Sequence, residues 1–171
     1  KTAYAISACL VGSEMCIRDR YKSLAERANL PSSITFETNG TQKLTEPFKQ
    51  WIKDIPEEIF FSVSPKLFTV SGEKTEKAIK PQNVKEYAEC SNRGQLKFVV
   101  GSEKRQWEEL ENTVRKFREA GVDWPVWIMP TGAREEEQTA TAGKVAEEAF
   151  KRGYNVSARV HVYLFGNAIG T

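Results

Sequence analysis

Leu96-Lys97-Phe98-Val99-Val100-Gly101-Ser102 is an apolar run that stops abruptly in small residues, and the segment after it decides the fold. Across Glu103–Ala120 the residues Trp107, Leu110, Val114 and Phe117 recur at helical spacing, and Gly121 sits where a helix cap belongs. A second run, Val126-Trp127-Ile128-Met129, then stops at Pro130-Thr131-Gly132. Strand, helix and strand in that order make a crossover unit whose strands run parallel.

The same pattern extends in both directions. Upstream, Ile34-Thr35-Phe36 runs into Glu37-Thr38-Asn39-Gly40-Thr41, and Ile59-Phe60-Phe61-Ser62-Val63 runs into Ser64-Pro65-Lys66. Helical repeats come after both: Leu44, Phe48, Trp51 and Ile52 with Pro47 in the first turn, then Val84, Tyr87 and Ala88 between Pro81 and Cys90. The stretch Lys66–Lys80 has little periodicity and reads as an exposed loop. Tyr21–Asn29 fits the last turns of a helix stopped by Asn29 and Pro31. Downstream, Glu135–Arg152 reads as a helix closed by Gly153, with Val145, Ala146, Ala149 and Phe150 facing inward. Asn155–Phe165, containing Val160-His161-Val162-Tyr163-Leu164-Phe165, reads as the last strand, with no helix after it. The expected class is α/β, a parallel sheet of about five strands alternating with helices. In such a sheet all carboxyl ends lie on one edge, so the polar endings converge on one site.

Composition narrows the function. The 171 residues suit one domain, 40% hydrophobic and 28% charged. With 25 basic and 23 acidic side chains the net charge is +2, which gives no broad signal for nucleic acid or membrane partners. No apolar stretch reaches the roughly 20 residues of a membrane span. Cys9, Cys16 and Cys90 match neither a zinc ribbon nor a disulfide framework, so free thiols and a cytoplasmic location are expected. Walker, Gly-x-Gly-x-x-Gly and Gly-x-Ser-x-Gly motifs are absent, and so is a metal-binding histidine pair. The segment Ser7-Ala8-Cys9-Leu10-Val11-Gly12-Ser13-Glu14-Met15-Cys16-Ile17-Arg18-Asp19-Arg20 resembles a translated sequencing-library adaptor. Residues 1–20 are therefore read as an assembly artefact, and residues 21–171 as the domain.

Each polar ending has a bland and a functional reading. Glu37, Thr38 and Asn39 supply a carboxylate, a hydroxyl and an amide, suited to a ligand with an amine and sugar hydroxyls, or simply to a turn. Ser64, Pro65 and Lys66 offer a hydroxyl, a fixed backbone and a cation, or a surface turn. Met129, Pro130, Thr131 and Gly132 present backbone groups to a ring or ribose, or form an ordinary strand-to-helix loop. His161, the sole histidine, either hydrogen-bonds a substrate or sits satisfied in the core.

Together these motifs, in order with Leu96–Val100 and Arg159–Asn167, resemble the carboxyl-terminal two-thirds of the 7-carboxy-7-deazaguanine synthase family. These are radical S-adenosylmethionine lyases of queuosine and archaeosine (7-deazapurine) biosynthesis. The resemblance implies the carboxyl-terminal portion of a shortened β/α barrel converting 6-carboxy-5,6,7,8-tetrahydropterin to 7-carboxy-7-deazaguanine with release of ammonia. It implies S-adenosylmethionine, a [4Fe-4S] cluster and Mg2+ as cofactors, a pterin substrate and a homodimer. By the same resemblance Glu37, Thr38, Asn39, Ser64, Pro65, Lys66, Met129, Pro130, Thr131 and Gly132 bind cofactor, while His161 and Thr171 lie near substrate. Met129 stands where the family often has Gln. The family's Cys-x3-Cys-x2-Cys cluster motif and Gly-Gly-Glu-Pro-type loop have no counterpart in the chain, so no catalytic or metal residue is assigned and the chain is expected to bind no cluster and to be inactive. Two alternatives are a non-catalytic S-adenosylmethionine- or nucleoside-binding domain and another radical activity, such as a glycyl-radical activase.

Overall fold

Successive strands sit side by side in sequence order, and that one fact organises the molecule. The computed structural model describes residues 5–9, 14–27, 30–132 and 134–165, with backbone alone at 5–9, 14–16, 161 and 165. The elements are β1 (Ala5–Cys9), α1 (Glu14–Glu26), β2 (Ser33–Thr38), α2 (Glu46–Asp54) and β3 (Glu58–Val63). Then come α3 (Phe68–Ser71), α4 (Thr75–Ala78), α5 (Pro81–Cys90), β4 (Gly94–Val100) and α6 (Lys104–Glu119). The chain continues through β5 (Val126–Pro130), α7 (Glu135–Lys151), β6 (Asn155–Val156) and α8 (Val160–Phe165).

The sheet order is β1-β2-β3-β4-β5-β6, and every pair is parallel. Each crossover therefore advances in the same direction. Because such connections are right-handed, the crossover helices collect on one face, with no point where the strand order reverses.

Burial along the strands records the two faces. Ile34 and Phe36, Ile59, Phe61 and Val63, Leu96, Phe98 and Val100, and Val126 and Ile128 are buried against the helical layer. The alternate positions Thr35, Phe60, Gln95, Lys97, Val99, Trp127 and Met129 are half-buried, and Glu37 is exposed. These side chains line the face opposite the crossover helices. On the helical side α2 contributes Phe48 and Ile52, α5 Val84 and Tyr87, α6 Trp107, Leu110, Val114 and Phe117, and α7 Val145 and Ala149. Phe36, Phe48, Phe61, Tyr87 and Trp124 meet through ring contacts that join β2, β3, α2 and α5.

Three expectations are corrected. First, Asn155–Phe165 is not one strand: only Asn155–Val156 pair with β5, and Val160–Phe165 is helical, so His161 lies on α8 and a helix does come after the sheet. The ladder stops because Ser157 N donates to Ile128 O at 2.8 Å, and the next rung would need an N–H from Pro130, which has none. Second, Lys66–Lys80 is not an unstructured loop. It holds α3 and α4, anchored by the buried side chains of Leu67, Ala78 and Ile79. Third, Phe150 does not face inward; it is 65% exposed, because the turn that buries Val145 and Ala149 carries the next residue off that stripe. The first twenty residues also bear on the sheet: the backbone of Ala5–Cys9 pairs with Ser33–Glu37, and α1 begins at Glu14. The stop expected at Asn29 lies outside the described residues.

Candidate functional site

Parallel pairing brings the strand ends together. Thr38 is in register with Val63, and Ser64 N donates to Thr38 O at 2.7 Å, so the ends of β2 and β3 adjoin. On the other side Met129 pairs with Val99 and Pro130 with Val100, and Thr131 N donates to Val100 O at 3.0 Å. All three expected motifs thus occupy one edge of the sheet, with the end of β4 between the second and third.

Within the first motif the side chains divide their work. Thr38 is buried and its hydroxyl oxygen accepts from Gly40 N at 3.1 Å; Asn39 is exposed and its Oδ1 accepts from Thr41 N at 3.0 Å and Thr41 Oγ1 at 2.7 Å. These contacts hold the turn. Gly40, at φ 80°, is required by packing: a Cβ there would sit 2.9 Å from Val63 Cγ1 and 3.0 Å from Val84 Cγ2. The Glu37 carboxylate, on the face opposite the crossover helices, has no cationic partner among the described residues.

The second motif frames a cavity. β3 leaves its ladder with β4 at Val63–Leu96, whereas β4 runs on to Val100. Into the splay comes the segment after β3, and a cavity of about 230 Å³ is lined there by Pro65, Lys66, Leu67, Val70, Ser71 and Val99. Its walls are mainly apolar, with the exposed Lys66 ammonium at the rim, also without an acidic partner among the described residues. Glu109 of α6 fixes this segment: Phe68 N donates to Oε1 at 2.8 Å, and Thr69 N and Oγ1 donate to Oε2 at 2.9 and 2.6 Å.

In the third motif, backbone dominates. Gln138 of α7 is fully buried and donates through Nε2 to Pro130 O at 3.1 Å and Gly132 O at 2.7 Å. Gly132 has φ 127°, and a Cβ would meet Glu137 Cβ at 2.9 Å, so only glycine makes this turn. Met129 lies half-buried on the face opposite the crossover helices, with Sδ 3.1 Å from Arg159 Nε.

Three residues on this face were missed by the sequence reading. Gln95 donates to Ser62 Oγ at 2.9 Å across β3 and β4, Lys97 is half-buried with no ion pair among the described residues, and Arg159 lies just past β6. Strand alternation already carries the signal for Lys97, a charge on the same face as Gln95 and Val99. His161 belongs to α8 by backbone, but its side chain, like Thr171, lies outside the described residues.

Among the described residues no group of three or more His, Cys, Asp or Glu side chains gathers to hold a metal ion. Cys90 sits at the carboxyl end of α5, hence at the opposite edge of the sheet, and burial pushes its thiol pKa up. The side chains of Cys9 and Cys16 lie outside the described residues. Comparison with family models, curated proteins and solved structures finds no match.

Proposed function

We propose that this edge binds S-adenosylmethionine within a radical-type β/α barrel, and that the chain belongs to a 7-carboxy-7-deazaguanine synthase acting on 6-carboxy-5,6,7,8-tetrahydropterin. One observation carries the reading: the motifs at the ends of β2, β3 and β5 that resemble the family's lie on a single edge of a singly wound parallel sheet. Ligand sites of β/α barrels form at that edge.

The groups there suit the ligand. The Glu37 carboxylate, without a cationic partner among the described residues, accepts from an ammonium or a ribose hydroxyl, and the exposed Asn39 donates through its amide. Lys66 pairs with a carboxylate, while Pro65, Leu67 and Val99 give an apolar wall against which a purine ring excludes water. Thr131 and Gly132 hold the far rim through a turn locked by Gln138. When bound, this nucleoside supplies the radical chemistry of the family. The described side chains do not fit an iron–sulfur cluster or a Mg2+ site, so no step is routed through either.

Calorimetric titration of the chain with S-adenosylmethionine tests the reading. One saturable site is expected, weakened about tenfold by Glu37→Gln and by Lys66→Ala, the size of one charge-assisted hydrogen bond. The absence of saturable heat contradicts it. Because the described groups supply charge and hydrogen bonds, the second reading is a domain that holds the nucleoside without reacting it. Saturable binding of S-adenosylmethionine, with none of the carboxytetrahydropterin, favours that reading.

A further inference from the structure

We infer that Arg159, held by Met129 and Gly132, forms an anion subsite that takes a carboxylate of a bound small molecule. The inference rests on reading the carboxyl edge as the ligand site. Arg159 is half-buried just after β6. Its Nε donates to Met129 Sδ at 3.1 Å and its Nη1 to Gly132 O at 3.2 Å. A thioether is a weak acceptor, and Gly132 O already receives Gln138 Nε2 at 2.7 Å, so both its lone pairs are engaged. A guanidinium has five N–H donors, which leaves three without an acceptor among the described residues.

Two other half-buried arginines, Arg118 and Arg152, are treated differently. Arg118 donates to the carbonyls of Val122 and Trp124, and Arg152 is held by Glu111 and Glu148 while lying over the Trp107 ring. Arg159 has no carboxylate partner among the described residues, yet two contacts hold its fork in place at the edge where β5 and β6 end. A planar carboxylate matches that fork in a bidentate way. Lys66 stands at the gap between β3 and β4, so the edge carries two separate cations, suited to acidic groups at two points.

Paired titrations of the full chain test this: 6-carboxypterin against pterin, and S-adenosylmethionine against its decarboxylated form. In parallel, the arginine Nε–Hε resonances are tracked by NMR during titration with inorganic phosphate. In at least one pair the carboxylated member is expected to bind about tenfold tighter or more. Arg159→Gln erases that preference without weakening the other member, Arg159→Lys restores part of it, and phosphate shifts the Arg159 resonance. The pair that responds identifies which ligand presents the carboxylate. Equal loss for both members of a pair, or a preference that survives Arg159→Gln, overturns the inference in favour of a structural role. If none of the four ligands binds but phosphate shifts the resonance, the subsite stands and the S-adenosylmethionine reading falls. If none binds and the resonance stays still, both fall.

Discussion

Gly94, the first residue of β4, lies beneath the Trp124 indole: a Cβ there would sit 2.5 Å from Trp124 Cε2. Gly94→Ala must displace a ring that is itself buried against Phe61, so it should cost about 1–3 kcal/mol. Urea unfolding should report this as a lower midpoint at unchanged slope. Tyr21 gives a pH-dependent counterpart. Burial first, then its hydrogen bond to Glu57 at 2.8 Å and that carboxylate's charge, push the phenol from 10.0 up to about 12. A pKa raised on folding means the contact contributes fully below the unfolded value of 10.0 and is lost as pH rises through about 12. Melting temperature should therefore fall across that window in the native chain and fall less in Tyr21→Phe. At this scale the sequence makes some residues legible and hides others. Trp107 and Val84 are legible from periodicity, and Lys97 from strand alternation. Arg159 is not, because its partners Met129 and Gly132 lie 30 and 27 residues earlier and meet it only after β6 has docked.

Helices with a regular apolar repeat are legible because burial of one face determines them: the expected Pro81–Cys90 is α5, and Glu103–Ala120 contains α6. Where a segment is organised from outside, periodicity is silent. α3 owes its first turn to Glu109, 40 and 41 residues away, whose carboxylate accepts from Thr69 and Phe68. Glu109→Ala should free those amides, raising hydrogen exchange at Phe68 and Thr69 at least several-fold while lowering global stability by only about 1 kcal/mol, as for a lost helix cap. Unchanged exchange at those two amides would mean that Leu67 packing alone holds the segment. The end of β6 teaches the same lesson. Val160, Val162 and Leu164 alternate as a strand would, yet a proline on the neighbouring strand removes the donor that the extension needs, and in the resulting helix only Val162 of the three is buried.

At the scale of the molecule, alternation of strands and helices is enough to give the α/β class, the parallel pairing and the common edge of the polar endings after β2, β3, β4 and β5. The sequential strand order was not legible, because the same alternation also builds doubly wound sheets with helices on both faces. Only the pairing distinguishes them, and here it leaves one face of the sheet to Thr35, Glu37, Gln95, Lys97 and Met129. The most direct test of the central claim is an amide chemical-shift map of the chain titrated with S-adenosylmethionine. The expected result is saturable shifts confined to the carboxyl edge, at Asn39, Ser64, Lys66, Thr131 and Gly132, with Ser33, Glu58 and Gly94 at the amino edge unmoved. Shifts centred on the amino edge, or none that saturate, would contradict the account.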